Sequence, residues 1–433
     1  MDESVPQNLS APSAEKAPMT GKAVAAVRAA AMASLPRRSD VTLLLVARGL
    51  RGFGDGFATI VLPAYLAAIG YGSVEIGIFA AASLLGSAVF TLGIGMLAPR
   101  FELRHLLLAC GLLMAATGVA LTGENLLWIV AVGFIGTVNP SSGDVGILIP
   151  LEHAMLAHGA ADDERTRIFA RYSLIGALSA AAGALAAAAP DVLVAAGVGR
   201  VAAYKLMFCL YGVLGFFAAA LYRRLSSSRA EERQASAPLG PSRFTVYRLA
   251  ALFSLDSFAG GFVVQSLLAL WLFERFGLSL AAASLFFFWT SVLTAMSFPL
   301  AGWLGRRIGL INAMVFTHIP SSLCLIAAAF APSLSLVLGL LLVRAALAQM
   351  DVPTRTSYVM AVVTPAERAS AASVTAVPRS LASAISPALA GVLFGSAFSS
   401  LPLLCCGGLK ILYDLLLLYS FRNVRPPEEG GAG

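Results

Sequence analysis

Ionisable side chains inside long apolar runs are the feature of this sequence most capable of chemistry. A charge at bilayer depth costs about 2.5–3.5 kcal/mol on insertion scales, so such residues face a cavity or a partner. Arg48, Arg51 and Asp55 fall at i, i+3 and i+7, on one helical face, among Gly49, Gly52, Gly54 and Gly56. Asp55 reads as a site residue held ready by Arg51, to which it can also pair at i+4. Arg344, Asp351, Arg355 and Tyr358 share a second face, and Asp351 precedes Arg355 by four residues, the favourable order for an ion pair. Pro353 is expected to interrupt that helix. Asn139-Pro140-Ser141-Ser142-Gly143-Asp144 is its counterpart in the first half. Gly- and Pro-interrupted helices at corresponding places in two halves point to a transport site. Asp256 and Gln265 add a third polar pair, and Arg379 beside Pro378 is a candidate anion ligand.

Other chemistries lack their residues. The glycines around Arg51 follow no strand and continue as apolar helix, so a dinucleotide fingerprint fails on context. No nucleophile–base set, zinc-ligand spacing or phosphate loop is evident, and no cofactor is expected. The five cysteines, Cys110, Cys209, Cys324, Cys405 and Cys406, lie in apolar runs and read as small buried hydrophobes. His318 reads as a packing or hydrogen-bonding histidine, and Lys410 with Asp414 as an i,i+4 pair.

The elements that must position these residues follow from composition. The 433 residues are 58% hydrophobic and only 12% charged. A soluble domain carries about 25% charge, so the bilayer is the expected solvent. Apolar runs long enough to span occur at about 42–69, 75–98, 105–122, 126–150, 168–189 and 202–222, then at about 247–273, 280–304, 310–331, 334–361, 370–395 and 401–421. Arginines and lysines alternate between loops. They fill the N-terminal tail, the loops with Arg100 and Arg104, with Arg165, Arg167 and Arg171, with Arg306 and Arg307, and with Arg368, and the segment from Arg223 to Arg243. The intervening loops hold little beyond Arg200 and Arg275. Twelve spans with both termini in the cytoplasm fit this alternation. The net charge of +7 is thereby assigned to loops, not to nucleic-acid binding.

The expected organisation is a disordered cytoplasmic tail (1–41), a six-helix bundle (42–222), a cytoplasmic linker (223–246), a second six-helix bundle (247–422) and a short cytoplasmic tail (423–433). The halves echo each other. Tyr65-Leu66 with Ser73 matches Trp271-Leu272 with Ser279, and Gly95-Met96-Leu97 with Arg100 matches Gly302-Trp303-Leu304 with Arg307. Glu164-Arg165 and Glu367-Arg368 occupy equivalent loops. The run Gly302-Trp303-Leu304-Gly305-Arg306-Arg307-Ile308-Gly309 resembles the signature loop of the major facilitator superfamily. Pro365-Ala366-Glu367-Arg368 resembles its loop entering span eleven. In the first-half copy, Pro99 stands near the family's usual aspartate.

This resemblance implies an all-α membrane protein with 12 transmembrane helices in two pseudo-symmetric six-helix bundles. It implies gating by Arg100, Gly302, Arg306, Arg307, Glu367 and Arg368, and a central pathway between spans one, four, seven and ten. The function expected is secondary active transport of a small organic solute by alternating access in the cell inner membrane. The expected chain is monomeric and proton-coupled, and its direction is left open between efflux of a drug or metabolite and uptake. Asp55, Asp144, Asp256 and Asp351 are the candidate proton carriers, and the excess of intramembrane arginine favours an anionic or zwitterionic solute. The alternative from another class is a receptor or scaffold that no longer transports. An enzyme is not expected.

Overall fold

The computed structural model describes residues 38–97, 100–141, 146–157, 162–227, 239–364 and 367–421. Most of the N-terminal tail, part of the linker, Asp144, Pro365-Ala366 and the C-terminal tail lie outside the described residues, as do the side chains of Arg165 and Arg306. The helices are α1 (Arg38–Ala68), α2 (Ser73–Leu97), α3 (Leu103–Ala120), α4 (Leu126–Ile135), α5 (Leu148–Ala157), α6 (Asp162–Ala186), α7 (Ala189–Ala195) and α8 (Arg200–Arg223). The second half has α9 (Arg243–Gly261), α10 (Gln265–Phe276), α11 (Leu280–Ile308), α12 (Leu310–Phe330), α13 (Leu334–Ala348), α14 (Asp351–Val362), α15 (Arg368–Phe394) and α16 (Leu401–Phe421).

Among the described residues, nine helical segments are long and apolar enough to cross a membrane. The three remaining predicted spans are those richest in predicted chemistry. Span one is a single helix, α1, that carries Arg48, Arg51 and Asp55. Span four is cut into α4 and α5, and span ten into α13 and α14. The interruption in span ten lies at Gln349–Met350, ahead of Pro353 and not at it. Pro353 sits in the first turn of α14, where its missing N–H needs no helical partner. Span seven, expected to be continuous, breaks after Gly260-Gly261 and restarts at Gln265. Asp256 and Gln265 therefore occupy two helices, and an argument from one shared face does not apply to them. The same holds for Arg344 and Asp351.

Unwound backbone at this depth needs substitute hydrogen bonds. The Ser141 N–H donates to Asn139 Oδ1 at 2.9 Å. The Ser266 N–H, an orphan at the start of α10, donates to the Pro140 carbonyl at 3.2 Å. The breaks of spans four and seven thus meet across the two halves.

Glycine sets the closest helix approach. A Cβ on Gly52 would stand 2.9 Å from the Gly176 carbonyl oxygen, and one on Gly56 would collide with the Ala180 carbonyl. A Cβ on Gly183 would collide with the Phe53 carbonyl. The small-residue face expected on α1 therefore packs directly on α6. Gly309, at φ +84°, turns the chain from α11 into α12, a conformation that favours glycine.

One buried apolar core joins both halves, from Leu62, Tyr65 and Ile76 to Leu268, Trp271 and Phe394. It surrounds the turns near residues 69–72 and 277–279. Toward the opposite end each half has a core of its own. Leu44, Leu107, Tyr172 and Tyr222 belong to one, and Val246, Met314, Tyr413 and Phe421 to the other. The halves share a core at one end, and at the end that carries the linker their buried cores are distinct.

Gly56→Leu should lower stability by about 1–3 kcal/mol or more, because the added side chain overpacks a backbone contact. Gly93→Leu, where a Cβ meets nothing within 4 Å, is the matched control. Thermal unfolding in detergent should separate the two, and equal melting temperatures would contradict the close packing of α1 on α6.

Candidate functional site

Two clusters of buried charge lie inside the molecule, one in each half. In the first, Arg51 pairs with Glu152 of α5, at 5% and 0% side-chain exposure. Glu152 also accepts hydrogen bonds from the Tyr172 hydroxyl and, at 2.6 Å, from the Tyr222 hydroxyl. Arg51 reaches the Tyr172 hydroxyl at 3.3 Å, and the Arg48 guanidinium lies over the Tyr172 ring, 4.9 Å from its centroid. A Cβ on Gly176 would overlap Arg48, so the glycine makes room for that guanidinium.

Asp55 makes no ion pair among the described residues. It accepts a hydrogen bond from the Tyr211 hydroxyl at 3.2 Å, and Tyr211 meets Thr137 at 3.1 Å. A cavity of about 30 Å³ adjoins Arg48, Arg51, Asp55, Ser87 and Asn139. That is room for about one water. Among the described residues, Asp55 is the carboxylate of this half that borders the cavity without an ion pair.

The second cluster is a chain of hydrogen bonds. Asp414 faces His318 Nδ1 at 3.0 Å, and His318 Nε2 lies 3.2 Å from Lys410 Nζ. Both contacts of His318 are satisfied when Nδ1 carries the histidine proton, because the ammonium can only donate to Nε2. Lys410 continues to Asp256 at 2.7 Å, Asp256 to Arg355 at 3.0 Å, and Arg355 to Asp351. Arg355 also stands over the Phe253 ring, 5.1 Å from its centroid. Lys410 and Asp414 therefore do not pair with each other at i,i+4. Each finds a partner on another helix. Arg344 and Arg379 make no ion pair among the described residues, and Gln265 opens α10.

The expected gating residues fall into separate settings. Arg307 lies 4.9 Å over the Trp303 ring, one turn after Gly302. Arg368 Nε donates to the Met360 carbonyl at 3.2 Å. Arg100 sits exposed between α2 and α3. Glu367 ties the linker to α15. It accepts from the Gly240 N–H and, at 2.7 Å, from the Thr364 hydroxyl. Hydrogen bonds from Ser242, Thr364 and Gly240 hold its carboxyl down at about 2.

The sequence reading brought Arg51 and Asp55, and Asp256, Asp351 and Arg355, into one frame, and the structure sets them in two clusters. It passed over Glu152, Tyr172, Tyr211 and Tyr222. Glu152 lies in Leu148-Ile149-Pro150-Leu151-Glu152, beyond the expected end of span four. A lone acid within an apolar run was the available signal.

The geometry matches a known architecture. A family description, Major Facilitator Superfamily, covers residues 44–255 and 250–433. The chain belongs to the major facilitator superfamily. It is an integral membrane transporter of a small molecule and not an enzyme. An uncharacterised membrane protein of Saccharomyces cerevisiae is 25% identical over 424 residues, 89% of this chain and 94% of that one. The nucleoside transporter NupG is 14% identical with a TM-score of 0.69, covering 89% of this chain and all 100% of its own. A bacterial homologue of the human lysosomal transporter Spinster, solved inward-facing and occupied, is 16% identical with a TM-score of 0.66, covering 88% and 94%. At such identities these structures share the fold of this major facilitator protein.

Glu152→Gln should destabilise the protein by about 3–5 kcal/mol, because it strands the buried Arg51 charge. Adding Arg51→Met should restore part of the loss, as a thermal-unfolding double-mutant cycle would show. At Glu367 the carboxyl is depressed from its ordinary value, so its stabilisation is complete above about 4.5 and fades as pH falls toward about 2. Glu367→Gln should lack this acid-side decline, read as the difference in melting temperature from wild type across pH 2–8.

Proposed function

We propose that the protein is a proton-coupled carrier that works by alternating access, with Asp55 as the group that takes up and releases the proton. The observation that carries this reading is the position of Asp55. It borders the cavity, and its one hydrogen-bond donor among the described residues is a neutral hydroxyl. Protonating Glu152, Asp256 or Asp351 would weaken a buried ion pair. Protonating Asp55 breaks none.

The arginines at the end where each half has its own core, among them Arg104, Arg167, Arg171, Arg223, Arg224 and Arg307, favour a cytoplasmic linker. On that orientation the two distinct cores lie toward the cytoplasm and the shared core toward the other side. The nucleoside transporter among the relatives described above supports a small organic solute, and carriage across the cell inner membrane by a single chain is part of the same proposal.

Proteoliposomes loaded with a pH-sensitive dye would test the coupling. The added solutes would be a nucleoside, a pentose and organic anions. Wild-type protein should show solute-driven proton flux. Asp55→Asn should reduce it to the level of empty vesicles while solute exchange without a proton gradient persists. Unchanged proton flux in Asp55→Asn would remove Asp55 from the mechanism.

A further inference from the structure

The coupling reading leaves two buried titratable groups of the second half idle, His318 and Asp414. Their side chains are 2% and 0% exposed. Both Asp414 oxygens lie within 3.1 Å of His318 Nδ1. Among the described residues Asp414 makes no other hydrogen bond. On the far side of the ring, Nε2 faces Lys410 Nζ at 3.2 Å and Asp256 Oδ1 at 3.8 Å. The Tyr413 ring stands edge-on, 6.0 Å away between centroids. From α13, Arg344 meets α12 through its carbonyl, which accepts from the Ser321 hydroxyl at 3.4 Å. Arg355 and Asp351 of α14 connect to His318 through Asp256. The neighbouring α11 brings no charged contact to His318 among the described residues.

Along these contacts three carboxylates, Asp256, Asp351 and Asp414, meet two permanent cations, Arg355 and Lys410. The connected chain is one positive charge short, and burial penalises the imbalance. One added proton corrects it. A proton on the ring puts hydrogen on both nitrogens. A proton on Asp414 makes a hydroxyl whose near acceptor is Nδ1, and the ring hydrogen then moves to Nε2. In both cases Nε2 becomes a donor and faces an ammonium that has no lone pair to offer. Lys410 thereby loses one of its two acceptors, and Asp256 Oδ1 gains a second donor. Lys410 is the most exposed member of the chain, at 14%. It lies against the break of span seven, where a Cβ on Gly260 would stand 3.9 Å from Nζ.

We infer that His318 and Asp414 form a second proton-binding site, and that a proton on Nε2 frees Lys410 from His318 beside the break of span seven. This goes beyond the coupling reading and asks nothing of Asp55. Linkage supplies the check. If the proton displaces Lys410, removing Lys410 must strengthen the proton's binding.

The test uses the purified full chain in detergent with its four histidines labelled with nitrogen-15. NMR then reads which ring nitrogen carries hydrogen, and the His318 signal is the one lost in His318→Gln. At the alkaline end His318 should show the Nδ1–H tautomer. On acidification a hydrogen should appear on Nε2 in one step, between about pH 9 and about pH 4. Lys410→Met leaves Asp256 paired with Arg355, and it should move the step up by about one pH unit or more. Lys410→Arg keeps the charge and should move it less. Asp414→Asn should move the step down by about one unit or more. Asp55→Asn should leave it in place, so this site and the coupling at Asp55 stand or fall separately. Variants are compared only when monodisperse on size exclusion, and the wild-type tautomer and step are read without any of them. An Nε2–H tautomer at the alkaline end, no hydrogen on Nε2 down to about pH 4, or a step that Lys410→Met does not raise would overturn the site.

Discussion

A charge in the hydrocarbon layer persists only where an opposite charge, a hydrogen-bonding group or a water-filled passage receives it. That constraint organises this protein. Arg51 lies at the centre of the first half because Glu152 and Tyr172 receive it, and Glu152 in turn takes two tyrosine hydroxyls. In the second half one carboxylate, Asp256, is shared by Lys410 and Arg355 from two other helices. The same constraint governs the backbone. Where spans four and seven unwind, the freed Pro140 carbonyl and Ser266 N–H find each other. Continuous apolar helices need no such partners, and these helices face lipid with exposed leucines, valines and phenylalanines.

Every ion pair among the described residues is made within one half. Between the halves the contacts are apolar side chains, glycine against backbone, and single hydrogen bonds. Gly77 packs on Pro387 and Gly391, and the Ala281 N–H donates to Asp191 at 3.3 Å. A rocking motion that opens the shared core would therefore part weak, non-directional contacts and leave the charge networks whole. This is a suitable division of labour for two rigid bundles, because packed cores resist deformation while interfaces can slide.

Much of this was legible in the sequence, and the remainder was not for definable reasons. The number of spans follows from apolar runs and from the alternation of arginine between loops, both local properties. Gly52 and Gly56 announce a packing face because their spacing repeats at helical period. The helix breaks were less visible. Gly260-Gly261 resembles other glycine pairs in apolar helices, and what distinguishes it is the close approach of Ser386, far along the chain. Pro353 drew the expected break onto itself, although a proline in a first turn begins a helix comfortably. Partners such as Lys410 and Asp256, 154 residues apart, are set by tertiary packing alone. The i,i+4 pairing of Lys410 with Asp414 was the local alternative, and the buried His318 displaced it.

The two clusters differ in what they lack, and the difference bears on coupling. Among the described residues the first has two guanidinia and two carboxylates, and Asp55 can accept a proton without breaking an ion pair. In the second, Asp256, Asp351 and Asp414 each face a basic side chain, so a proton on any of them would loosen the chain that joins them. A proton on Asp55 adds one positive charge to the interior, and unbalanced charge in a low-dielectric interior is what the bilayer penalises most. On the coupling proposed above, a solute that offsets this charge would let the loaded carrier reorient as readily as the empty one, whereas the proton alone would not.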